Sequence, residues 1–213
     1  MTRLADLQQS AGRRFARITT DVVTRSPRLW PLFRRPLRFQ FDKLAPRWED
    51  IISDGHLAPL EAALERVHAS RRALDVGTGT GAGAFVLARR FPEAEVVGVD
   101  LSGEMVAEAR SKAPRELGDR VRFEVADASA LPYESGSFDV VTLVNMIPFY
   151  DELARVTAQG GTVVIAFASG AGTPIYVPPD RLRGDLSRRG FAQFAQIAAG
   201  NGAALLARKG EAA

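Results

Sequence analysis

The stretch Arg71–Val86, RRALDVGTGTGAGAFV, constrains this chain more than any other. A short apolar run holding Ala73, Leu74 and Val76 is interrupted by one acid, Asp75, and enters a loop with glycines at 77, 79, 81 and 83. An apolar, helix-compatible segment, Ala82–Phe91, follows. Strand, glycine turn and helix open a nucleotide-type βαβ unit. Glycine lets the backbone pass close to a ligand, and a helix N-terminus offers unpaired N–H groups and a partial positive charge to an anion.

The glycines alone do not name that ligand. Gly77-x-Gly79-x-x-Ala82 formally satisfies a dinucleotide fingerprint, a weak signal. Asp75 discriminates, because a carboxylate at the end of a buried strand needs a partner. It sits badly beside a pyrophosphate and well beside an ammonium group, which S-adenosylmethionine carries together with a carboxylate for the helix N-terminus. Asp75-Val-Gly77-Thr-Gly79-Thr-Gly81 resembles motif I of the class I S-adenosylmethionine-dependent methyltransferases.

Downstream residues extend the resemblance over about two-thirds of the chain. From Arg71 strands and helices alternate, which argues for a parallel sheet covered on both faces. The second strand, Ala94–Asp100, ends in an acid where an open α/β sheet places its ribose-binding carboxylate; capping of the next helix, Ser102–Lys112, is the alternative, and the glycine motif upstream favours the ribose role. Strand three, Val121–Val125, leads to Asp127 and Ala128, at the position where the family reads the adenine amino group and a ring nitrogen. Leu131-Pro132-Tyr133 and Ser137-Phe138-Asp139 are similar to the family's passage into strand four, Asp139–Val144. Gly160-Gly161 reads as a turn launching strand five, Thr162–Phe167. A helix near Asp180–Arg189 and a hairpin, Phe191–Ala195 with Ala203–Arg208 about Gly200-Asn201-Gly202, close the chain. The expected fold is therefore α/β: a Rossmann-like seven-stranded sheet, mostly parallel with a terminal antiparallel hairpin. The resemblance implies S-adenosylmethionine as cofactor, held by Asp75, Gly77, Thr78, Gly79, Gly81, Asp100, Leu101, Met105, Asp127, Ala128 and Asn145. Met105 also reads as an ordinary core residue.

Residues 1–70 form a second region, expected as a helical extension or lid over the cofactor domain at 71–213. Leu4, Leu7, Phe15 and Ile18 hint at a helical face. From Val22 to Phe41 there is no acidic residue, while Arg25, Arg28, Arg34, Arg35 and Arg38 alternate with apolar side chains. Pro27, Pro31 and Pro36 argue against one long helix. A basic arm wrapping the core is the plain reading; peripheral membrane contact through residues 22–41 is the sharper one. Nucleic acid is disfavoured, since the patch rests on charge without a reader motif. Phe41-Asp42-Lys43-Leu44-Ala45-Pro46-Arg47-Trp48-Glu49 is similar to an element that covers the cofactor in many small-molecule methyltransferases. An amphipathic helix from His56 to about Val67 then leads into the first strand.

Composition narrows the chemistry. The chain has 213 residues, 46% hydrophobic and 25% charged, with a net charge of +3. It contains no cysteine and two histidines, His56 and His68, which leaves no thiolate metal site, no cysteine nucleophile and no histidine-rich metal centre. The cysteine-free composition, the polar N-terminus and the lack of a roughly 20-residue apolar run point to a soluble cytoplasmic protein. Methyl transfer from a sulfonium needs positioning and desolvation more than a nucleophile–base pair. Candidate bases are His56, Tyr150, Asp151 and Glu152, each with an ordinary alternative in packing or helix capping. Asn145-Met-Ile-Pro148-Phe149-Tyr150 departs from the Asn/Asp-Pro-Pro-aromatic tetrad of amino-group methyltransferases, so a strand-to-helix turn is the plainer reading there. Trp30 and Tyr176 are candidate pocket walls. The acceptor is expected to be a small or lipid-like molecule, the oligomeric state being left open. A cofactor-binding protein without catalysis and a nicotinamide-dependent oxidoreductase are the alternatives, the second disfavoured by Asp75, Asp127 and the closing hairpin.

Overall fold

The computed structural model describes residues 2–52 and 54–210, with side chains from residue 12 onward, so Leu4 and Leu7 lie outside the described side chains. Seven strands form one sheet: β1 (Arg72–Val76), β2 (Glu95–Asp100), β3 (Val121–Val125), β4 (Phe138–Val144), β5 (Thr157–Phe167), β6 (Phe191–Ala199) and β7 (Gly202–Lys209). Their order is β3-β2-β1-β4-β5-β7-β6, and only β7 runs against its neighbours. The order reverses beside β1, and in sheets of this kind ligands bind at that switch point, outside the carboxyl ends of the strands.

Two-residue alternation divides the core. Leu74, Val76, Val141, Leu143, Val163 and Ile165 face one layer, and Ala73, Val140, Val164 and Ala166 face the other. The second layer is covered by α4 (Ala58–Leu64), α5 (Ala82–Arg90) and α6 (Gly103–Lys112). Leu60, Ala63 and Leu64 are fully buried there, so α4 packs directly on the sheet. The first layer is covered by α7 (Tyr150–Val156), α8 (Pro179–Ser187) and two helices from the N-terminal region. Asp139, at the start of β4, accepts the backbone N–H groups of Arg71 and Arg72 at 2.7 and 3.0 Å, pinning the amino ends of β1 and β4 together.

The expected helical N-terminal extension is present, and the basic stretch is part of it: α1 (Thr2–Arg25), a short 3₁₀ turn at Pro27–Leu29, and α2 (Trp30–Leu44). Other expectations are corrected. Pro27 opens the turn that separates the two helices and Pro31 sits in the first turn of α2, but Pro36 lies inside α2. Pro36 is on the solvent side, where water can take the carbonyl left without its N–H partner. The Phe41–Glu49 element spans the end of α2, a 3₁₀ turn at Ala45–Arg47 and the short α3 (Trp48–Ile51). Gly160-Gly161 does not launch β5, which begins at Thr157; the pair occupies an irregularity where the register with β4 slips between Phe138 and Val140. The closing hairpin is longer than expected, reaching Ala199 and starting back at Gly202.

Candidate functional site

The glycine turn leaves β1 between the ends of β2 and β4. Gly77, Gly79 and Gly81 have φ of +73°, +54° and +93°, a region that strains every residue with a side chain. A Cβ on Gly77 would lie 2.8 Å from the Met146 sulfur, and one on Gly79 would lie 3.4 Å from the indole nitrogen of Trp48. The turn thus combines an unusual backbone path with close neighbours, one of them contributed by the N-terminal region.

Asp75 has a setting the sequence did not announce. It is the penultimate residue of β1, so the pleat turns its side chain sideways beneath the start of α5. Thr142 Oγ1, its register partner on β4, donates to one carboxylate oxygen at 2.8 Å, and Thr78 Oγ1 donates to the other at 2.7 Å. On the other flank its register partner is Gly98, where a Cβ would lie 2.7 Å from Thr78 Oγ1. Burial pushes the Asp75 carboxyl up to about 6, against the hydroxyls of Thr78 and Thr142. Asp75 thus already has two partners within the protein, and through them it braces the turn.

Asp100 and Asp127 occupy the tips of β2 and β3. Asp100 accepts the N–H of Gly79 on one oxygen and that of Ser102 on the other, both at 2.9 Å. Each oxygen keeps a further lone pair for an outside donor, and burial raises its pKa. Ser102 also caps α6 by accepting the Met105 N–H at 3.1 Å, and Met105 itself is buried in the core. Leu101 is partly buried against the first layer and Ala128 is buried within it. Asp127 accepts the Ser129 N–H at 2.9 Å and the Ser129 hydroxyl at 2.7 Å.

The N-terminal helices reach this site with polar side chains. The Trp30 indole N–H lies 2.8 and 3.0 Å from the two oxygens of Asp127, and Arg34 lies 3.6 Å away. Ser102 donates its hydroxyl to Asp42 at 2.6 Å, and Thr80 of the glycine turn donates to Glu49 at 2.7 Å. The Thr80 hydrogen bond holds the Glu49 carboxyl below its ordinary value. Trp30 is buried and packs edge-on to Phe149 at 5.1 Å; Phe41 meets Trp48 at 5.8 Å in the same manner. Asp42 and Glu49 belong to the Phe41–Glu49 element, so its sequence signal pointed to the right segment while its acids' partners went unread.

The candidate bases fare differently. Tyr150 is buried, its hydroxyl has no hydrogen-bond partner among the described residues, and burial pushes its pKa far up, which ill suits it to act as a base. Asp151 is an exposed acid paired with Arg189 at 2.6 Å. Glu152 binds Arg155 at 2.7 Å and accepts the Leu131 N–H, and Arg155 holds its carboxyl low. Both belong to surface and loop structure. His56 is half-buried, and its charge contributes to lowering Glu49. Asn145, expected at the cofactor, accepts the Ala168 N–H on its side-chain oxygen at 2.9 Å. Tyr176 packs on Phe167 at 5.2 Å. Among the described residues no group of three or more His, Cys, Asp or Glu side chains is arranged to hold a metal. A cleft of about 750 Å³ opens at the opposite, amino ends of the strands; Arg66, Arg71 and Arg208 line it, and none of the candidate cofactor-binding or base residues does.

A glycine turn at the switch point, acids at three successive strand tips and one antiparallel strand between β5 and β6 define the class I methyltransferase fold rather than the all-parallel dinucleotide domain. Comparison with known proteins agrees. Residues 73–161 match the family described as "Methyltransferase domain". The chain is 41% identical over 140 residues to a demethylmenaquinone methyltransferase of Thermus thermophilus, covering 59% of this chain and 62% of that one. It is 38% identical over 146 residues to a malonyl-[acyl-carrier protein] O-methyltransferase of Halorhodospira halophila, covering 62% and 48%. The matches thus span less than two thirds of these relatives' length. A putative methyltransferase of Haloferax volcanii, solved with its Trm112 activator, superposes with a TM-score of 0.67 at 20% identity, covering 80% of this chain and 98% of that one, which shows the fold. Residues 73–161 thus match a methyltransferase domain, on the fold of the class I S-adenosylmethionine-dependent methyltransferases, a family whose cofactor is S-adenosylmethionine. The residues fit that molecule: only glycine suits the turn's backbone, and Asp100 and Asp127 offer acceptors at adjacent strand tips.

Proposed function

We propose that this protein methylates a small apolar acceptor of the quinone type. The observation that carries the reading is the set of acids about the glycine turn: Asp75 bracing it from below, Asp100 bound to its Gly79 N–H, and Asp127 one strand further out. In this reading Asp100 takes the ribose hydroxyls, Asp127 and the Ala128 N–H read the adenine, and the turn with the start of α5 receives the amino-acid end. The bound sulfonium supplies an activated methyl group together with its own leaving group, so the protein's share is orientation and exclusion of water.

The acceptor side draws on the carboxyl ends of β4 and β5. Phe149 with Trp30 and Phe167 with Tyr176 make aromatic pairs there, suited to a flat apolar ring. The relatives named demethylmenaquinone methyltransferases support an acceptor of that chemistry.

Calorimetry with S-adenosylhomocysteine and transfer of label from S-adenosylmethionine to a panel of demethylquinols and a malonyl thioester test this. Micromolar binding and label in a quinol are expected. Asp100→Ala is expected to weaken binding by about 1–3 kcal/mol, the size of a lost charge-assisted contact. NADH binding in place of the nucleoside overturns the cofactor role. Nucleoside binding with no transfer to any of the panel overturns the acceptor and favours a non-catalytic binding protein.

A further inference from the structure

We propose that the outward face of α2, with the turn before it, docks this protein on an anionic bilayer surface. Leu29, Leu32, Pro36, Phe39 and Lys43 follow one another at spacings of three and four, which aligns them along one side of a helix. All of them are exposed, Leu32 by 70% and Phe39 by 60%. The opposite side of the same helix carries Trp30 and Leu37, which are buried, and Phe33 and Phe41, which pack on the core. The core therefore already has its share of apolar side chains from α2, and the outer row is a second, separate one. A single exposed leucine needs no explanation, whereas a row of them along one helix side does.

The charges beside that row select the partner. Arg28 and Arg35, seven residues apart, flank it, and the Lys43 ammonium sits 4.2 Å over the Phe39 ring. No acid occurs between Val22 and Phe41. Arg34 and Arg38 are turned to Asp127 and Asp42, but Arg25, Arg28 and Arg35 make no ion pair with any described residue. Apolar side chains that can enter the headgroup boundary, edged by unpaired cations, fit a helix lying in the plane of an anionic membrane. A second copy of this chain would set the same arginines against each other. No described helix is long and apolar enough to cross a membrane, so the contact is peripheral. The proposal does not depend on the identity of the acceptor.

Sedimentation with sucrose-loaded vesicles tests it, comparing equal phosphatidylglycerol and phosphatidylcholine with phosphatidylcholine alone. The full chain is expected to sediment with the mixed vesicles, weakly with the neutral ones, and less as salt rises. The double variant Leu32→Glu/Phe39→Glu is expected to lower partitioning at least about tenfold, and Arg28→Gln/Arg35→Gln by roughly the same factor. Both variants alter exposed side chains only, so circular dichroism and S-adenosylhomocysteine affinity should match the parent. Vesicle binding that is absent, or that persists unchanged in the Leu32/Phe39 variant, overturns docking while leaving the methyltransferase reading intact. A parent dimer that the same variant dissociates, without vesicle binding, assigns the row to a second copy and likewise overturns it.

Discussion

The sheet domain and the N-terminal helices hold the same site by different means. Within the sheet, Asp75 is enclosed by hydroxyls of the turn and of β4, in a space so tight that a Cβ on Gly83 would lie 2.6 Å from its carboxylate. The helices touch the site through a few polar contacts, Trp30 on Asp127, Asp42 on Ser102 and Glu49 on Thr80, of which the last involves a half-exposed acid. Buried, mutually satisfied groups leave no cheap alternative arrangement, whereas contacts that water can replace open at small cost. The site has a fixed floor and a cover that is anchored in the core by Trp30 and Leu37 but meets the site itself through a handful of hydrogen bonds.

Three substitutions probe that contrast. The largest effect is expected from Gly83→Ala, which drives a methyl group into the Asp75 carboxylate and should cost about 3 kcal/mol in urea unfolding. An unchanged midpoint would show that the floor yields. Next comes Asp75→Asn. Because burial lifts the Asp75 carboxyl to about 6 from an ordinary 3.8, the folded state binds a proton more tightly than the unfolded one between those values. Its contribution to stability is then full below the lower value and is lost as pH rises through about 6. The parent should lose up to about 3 kcal/mol relative to the variant across that window and run parallel above it. Parallel curves throughout would mean that Asp75 is ionised without penalty. The smallest effect belongs to the cover: Trp30→Phe keeps most of the ring and removes the N–H on Asp127. It should tighten S-adenosylhomocysteine binding by about threefold, a fraction of one hydrogen bond, as the acceptor is released. Weaker binding in that variant would make Trp30 a support for Asp127 instead of a competitor.

The same contrast governs what could be read from the chain alone. The strands, the glycine turn and the closing hairpin announce themselves through local pattern: two-residue alternation, glycines where φ is positive, β-branched runs. The acids at the tips of β2 and β3 follow from where those strands end. The direction of Asp75 was within reach, since two-residue alternation puts it on the same face as Ala73, beneath α5, and opposite to Leu74 and Val76. The partners of Asp42 and Glu49 had no such signal, because Ser102 and Thr80 lie 60 and 31 residues away and meet them only after the cover has folded down. Tyr150 and Asp151 looked alike as candidates beside a strand end. One residue of helix rotation separates them, turning the first inward beneath Arg189 and the second out to pair with that arginine.

Asn145 is the described residue other than glycine with a positive φ, +50°, and its amide oxygen takes the Ala168 N–H just past β5. This stitch joins the exits of two neighbouring strands, so the segments beginning at Met146 and Ser169 leave the sheet from a common anchor. Sequence drift in either segment can therefore reshape the proposed acceptor side without loosening its mooring, provided position 145 keeps a short amide that tolerates the left-handed turn.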